Sequence, residues 1–85
     1  MNIKILGPGC ARCRQLEQTV KDVVKEMALD ASIEEVKDVK KIMAYPILTT
    51  PGLVVNEELV CSGKVPNKAE VTHLIVNALD KERRG

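Results

Sequence analysis

Cys10 and Cys13, in Cys10-Ala11-Arg12-Cys13, are the residues with the most chemistry to offer. Thiols at this spacing exchange electrons with a disulfide or bind a metal, and in both uses the thiolate is the reactive form. Neighbouring side chains favour that form. From Met1 to Leu16 the charged residues are Lys4, Arg12 and Arg14, and the first acid is Glu17. Arg12, between the two thiols, is the candidate for lowering the pKa of Cys10. Residues three apart at a helix start can meet at disulfide distance. Cys10, exposed at that start, is then the attacking thiolate, and Cys13, one turn in and partly covered, the resolving thiol. Cys61 is expected to pack as a small apolar residue.

A second feature is independent of the first. Thr49-Thr50-Pro51-Gly52 directly precedes an apolar stretch that reads as a central strand. Proline there needs a reason, because it removes a ladder donor. A cis Thr50–Pro51 bond would supply one, by bringing the Thr50 backbone to face the cysteine pair and leaving it open to a substrate. Thr50 and Pro51 are therefore candidate substrate-binding residues. Tyr45, the sole aromatic, stands just before Pro46. It is either a half-buried filler or a third residue lining the cysteine site.

These residues need elements to position them. Ile3, Ile5 and Leu6 make a short first strand, stopped by Gly7-Pro8-Gly9. Leu16, Val20, Val23, Val24 and Met27 recur at spacings of three and four, one buried face of a helix from about Ala11 to Ala28. Ala31 to Lys37 is a weaker strand. Asp38 caps a short helix through Ile42 and Met43 that Pro46 must end. Gly52–Val55 and Leu59–Cys61 form a hairpin across Asn56-Glu57, a turn that Glu57 suits poorly, a loop widened to include Glu58 being the alternative. Asn67 to Glu70 is a capping box that opens a last helix with Val71, Leu74, Ile75, Ala78 and Leu79 buried. The order β-α-β-α-β-β-α predicts an α/β fold: a four-stranded mixed sheet whose faces are covered by the first and last helices. One domain over residues 1–85 is expected, with 81–85 a frayed tail.

Composition narrows the partners. The chain has 85 residues, 45% hydrophobic and 29% charged, so a packed core is affordable and wholesale disorder is not expected. Thirteen basic against twelve acidic residues, with one Tyr, no Phe and no Trp, leave neither a basic footprint nor a base-stacking platform. Nucleic acid is thereby disfavoured. The longest uncharged run, Ile42 to Asn56, is broken by Pro46 and Pro51 and falls short of the roughly 20 apolar residues of a membrane span. No secretory signal is read at the start, and three cysteines are not the even framework of a stapled secreted domain. A soluble cytoplasmic protein is expected.

Taken together, the chain resembles the thioredoxin fold, and most of all the small archaeal and bacterial thioredoxin- or glutaredoxin-like proteins known as redox-active disulfide proteins. The residues that carry this are Ile5 through Cys13, Tyr45 with Thr49-Thr50-Pro51, Val55-Asn56, and Ser62-Gly63-Lys64-Val65-Pro66. Gly9 stands where a typical thioredoxin has Trp, and Ala11-Arg12 where it has Gly-Pro. The resemblance implies a thiol-disulfide oxidoreductase that reduces protein disulfides through Cys10 and Cys13. It implies no metal or organic cofactor, a flavin-dependent thioredoxin-type reductase as electron donor, and a monomer. The alternative is a metal-binding or metal-delivery module using the same pair. Such chaperones end in a strand, whereas this chain ends in an amphipathic helix. A slowly turning redox sensor is a third reading.

Overall fold

A computed structural model of the chain describes residues 1–9, 11–47 and 49–84. Cys10, Leu48 and Gly85 lie outside the described residues. The elements follow the expected order: β1 (Asn2–Leu6), α1 (Ala11–Glu26), β2 (Ser32–Val36), α2 (Val39–Ile42), β3 (Gly52–Val55), β4 (Glu58–Ser62) and α3 (Lys68–Arg84). They build one four-stranded sheet in the order β2-β1-β3-β4. β1 runs parallel to β2 and antiparallel to β3, and β3 and β4 form an antiparallel hairpin. In this register Leu6 faces Gly52. The end of β1 therefore lies beside the Thr50–Pro51 segment.

Alternation along β1 and β3 divides the core. Ile3, Ile5, Leu53 and Val55 point to one face and meet Leu16, Val20 and Val23 of α1 and Val71 and Ile75 of α3. Leu6 and Val54 point to the other face and meet Val36 and Ile42, with Tyr45, Ile47 and Leu59 at the margin. The two long helices thus share one face and touch each other, so α1 and α3 do not cover one face each. Four-residue α2 covers the second face, and this thin layer leaves a groove there. Without Phe or Trp, the interior is filled by branched aliphatics. Each fully buried Leu, Ile or Val contributes about 1.5–3 kcal/mol.

Local chemistry explains the element ends. Asp38 accepts a hydrogen bond from the Lys40 amide (2.9 Å) and Asn67 from the Glu70 amide (2.8 Å), so both helices start where a cap was expected. α1 closes at Glu26, short of Ala28, because Ala28 is left-handed (φ 52°). The Leu29 amide then donates to the Val24 carbonyl (3.0 Å) and the Ala28 amide to the Lys25 carbonyl (3.2 Å), the paired bonds of a Schellman stop. Glycine normally holds that position. Ala28→Gly is expected to raise unfolding stability by up to about 1 kcal/mol, read by urea denaturation; an unchanged or lower midpoint at equal slope would contradict this.

The hairpin turn does not widen. β4 begins at Glu58, and Asn56 and Glu57 are both left-handed (φ 51° and 66°), the signature of a two-residue primed turn. α3 continues to Arg84, with Lys81 donating to Glu58 (2.9 Å) and Asn56 donating to Glu82 (2.5 Å). Among the described residues, no helix is long and apolar enough to cross a membrane.

Candidate active site

α1 starts at Ala11 and has no acid in its first turn. Its unpaired amides and the helix dipole place partial positive charge at this end. Gly9 reaches that start through a left-handed turn (φ 92°), a conformation that costs a residue with a side chain roughly 1–2 kcal/mol. The Gly7 amide donates to the Val36 carbonyl (3.0 Å) and fixes the loop to β2.

Cys13, in the first turn of α1, is buried (4% exposed). Its side chain packs on the backbone of Gly7 so closely that a Cβ built there would collide with Cys13 Sγ and stand 3.3 Å from Cys13 Cβ. The same point is 3.9 Å from Thr50 Cβ. Gly7, Cys13 and Thr50 therefore converge, brought together by the Leu6–Gly52 register. The Thr50–Pro51 bond is cis, and Pro51 is buried. Its carbonyl accepts from the Gly63 amide (2.9 Å), and the Gly63 carbonyl accepts from Arg12 Nη2 (3.0 Å). Arg12 thus ties the start of α1 to the segment holding Thr50 and Pro51.

Beside this convergence lies a groove of about 630 Å³ lined by Pro8, Arg12, Ile42, Met43, Ile47 and Thr50, among others. Met43 (74% exposed) and Val39 (62%) give it an apolar wall open to solvent. Cys61 is elsewhere. It half-lines a separate cavity of about 380 Å³ with Val60, His73 and Leu74, and burial pushes its thiol pKa up. A protonated, half-covered thiol suits its expected packing role.

Two residues need a different account from their sequence appearance. Lys37 belongs to a run of alternating charge that reads as a wet surface, yet its Nζ lies 4.0 Å from the Cβ position of Gly9. It brings a second cation to the loop before α1 while pairing with Glu35 (3.3 Å). Only the β1–β2 pairing reveals this. Tyr45 is half-buried and does not line the groove. Its ring packs on the α2 side of the sheet, and its hydroxyl donates to Glu57 Oε2 (3.1 Å) and accepts from Lys4 Nζ (3.1 Å). Lys4 Nζ also donates to Glu57 Oε1 (2.6 Å). The bonds to Glu57 first, then to Tyr45, raise the Lys4 pKa; bonds from the same two partners in Glu57's case, Lys4 and then Tyr45, lower the carboxyl.

A family model described as Thioredoxin domain matches residues 1–76. The chain belongs to the thioredoxin family. Two curated relatives named thioredoxin agree. That of Methanothermobacter thermautotrophicus is 37% identical over 75 residues, covering 88% of this chain and 97% of the relative. That of Methanocaldococcus jannaschii is 35% identical over 78 residues, covering 92% and 90%. The fold is also similar to thioredoxin 1 from the thermophilic eubacterium Thermosipho africanus, with a TM-score of 0.65, 16% identity, and 98% and 99% of the two chains covered. As a thioredoxin this chain is a thiol-disulfide oxidoreductase. The metal-delivery alternative gains no support: both relatives are named thioredoxin.

Proposed function

We propose that this protein, working as a single monomeric domain over residues 1–85 in the cytoplasm, reduces protein disulfides through Cys10 and Cys13. The Cys10 thiolate attacks one sulfur of a substrate disulfide; that S–S bond breaks, a mixed disulfide forms, and the substrate's other sulfur leaves as a thiolate and takes up a proton. Cys13, after losing its proton, attacks Cys10 Sγ. The second substrate thiol leaves, and two electrons have passed from the dithiol to the substrate. A flavin-dependent thioredoxin-type reductase returns the Cys10–Cys13 disulfide to the dithiol.

The observation that supports this reading best is the packing of Cys13 against Gly7 with Thr50, a residue of the groove lining, beside it. An extended substrate segment laid along Thr50 and Pro51 would bring its disulfide to this end of α1. Arg12 and the helix start favour the charged form of Cys10, so its pKa should fall below that of a free thiol, near 8.5. A coupled assay tests the electron donor. Nicotinamide oxidation is expected only when a flavin-dependent thioredoxin reductase, this protein and insulin are all present. Turnover with glutathione and glutathione reductase, and none with the thioredoxin reductase, would replace the proposed donor.

A further inference from the structure

Between Ile42 and Gly52 the described residues form no strand or long helix, yet they include Met43, Ile47, Thr49 and Thr50 of the groove. Among the described residues, the only side-chain hydrogen bonds joining this connection to the rest of the chain are those of the Tyr45 hydroxyl to Lys4 and Glu57. The Lys4 ammonium also lies 5.9 Å from the Tyr45 ring centroid. Tyr45 passes its position along the chain, because the Ile47 amide donates to its carbonyl (2.7 Å) and its own amide donates to Ile42 (3.1 Å). Ile47 in turn packs on Gly52, where a Cβ would collide with its Cδ1.

Glu57 makes this arrangement informative. At φ 66° it occupies a turn position where glycine would be relaxed. A left-handed non-glycine residue that persists against such a cost directs attention to what its side chain does. Here the carboxylate holds both Lys4 and Tyr45.

Building on the redox reading above, we infer that Lys4, Tyr45 and Glu57 form a polar anchor that positions the groove wall of Met43, Ile47, Thr49 and Thr50, and so tunes affinity for protein substrates without touching the thiols. Lys4 and Glu57 are positioning residues, and Tyr45 is the link between them and the groove. Chemistry at Cys10 does not need the anchor; docking of an extended segment against Ile47 and Thr50 does.

Glu57→Gly separates the anchor from the turn, since it relaxes the backbone while deleting the carboxylate. Insulin reduction should then show KM raised about fivefold, the size of one ordinary lost hydrogen bond. The rate with a small aromatic disulfide should be unchanged and the thermal midpoint not lowered, while the amides of the 43–50 connection exchange faster with solvent. Tyr45→Phe keeps the ring and removes only the hydroxyl; it should give the same KM rise, with no further rise in the double variant. A Glu57→Gly protein with wild-type KM and unchanged amide exchange would overturn the anchor, and so would equal losses on both substrates. Failure of the redox reading looks different: wild type and Cys10→Ser would then behave alike in the same insulin assay.

Discussion

Cys10→Ser should abolish insulin reduction, and Cys13→Ser should hold the substrate as a stable mixed disulfide. The asymmetry follows from where each thiol falls. Cys10 immediately precedes α1 in sequence, and a helix start with Arg12 next in line favours a thiolate there. Serine there cannot form the mixed disulfide, and turnover falls to the background of reductant alone. Cys13 lies within α1, buried against Gly7. A buried thiol is a poor first attacker on a macromolecular disulfide but is well placed to attack a neighbouring sulfur. Removing it leaves the first step intact and blocks the second. Trapping is read on non-reducing gels and by mass spectrometry with a single-disulfide substrate. Trapping by Cys10→Ser rather than Cys13→Ser would reverse the two roles. Cys61→Ala should keep wild-type turnover, because its protonated, half-buried thiol lines a different cavity.

A second large effect is expected at a residue with no reactive group. Gly7→Ala should destabilise the fold by about 1–3 kcal/mol, the cost of forcing an extra carbon into a well-packed site, and should slow resolution of the mixed disulfide. Rotating the Cys13 sulfur away would still leave Cys13 Cβ 3.3 Å from the added carbon, a tight contact that needs a further small shift. Either α1 must shift at its first turn or the end of β1 must move away from it. The Gly7 amide is bonded to Val36, so the second movement costs a hydrogen bond. Both shifts take Cys13 away from its place beside Thr50. Urea denaturation gives the stability change, and stopped-flow of a preformed mixed disulfide gives the resolution rate. Wild-type values for both would show that close packing of Cys13 on Gly7 is not required.

What the sequence reveals and what it conceals follows from the range of each interaction. Spacings of three and four in α1, the caps Asp38 and Asn67, and the Cys10–Cys13 pair are local patterns, and the elements appear where those patterns predict. Pro51 is legible because a proline opening an apolar strand is locally anomalous. Gly7, by contrast, looks like an ordinary turn glycine until Cys13 folds back on it. Lys37 looks like a solvated charge until β2 pairs with β1 and lays it by Gly9. Tyr45 was ambiguous in sequence because its partners are remote: Lys4 lies on the α2 face of β1, and Glu57 reaches it only because the hairpin turns in two residues. The close of α1 at Glu26 and the helical course of residues 81–84 likewise depend on backbone sign and on cross-chain ion pairs that periodicity does not encode.

The most direct test of dithiol exchange through Cys10 and Cys13 is peptide mass mapping of the whole protein equilibrated in a graded thiol–disulfide buffer. The account predicts reversible loss of two hydrogen atoms, confined to the peptide containing Cys10 and Cys13, with Cys61 remaining a thiol throughout. No reversible loss across the accessible potentials, or a disulfide that includes Cys61, would contradict it.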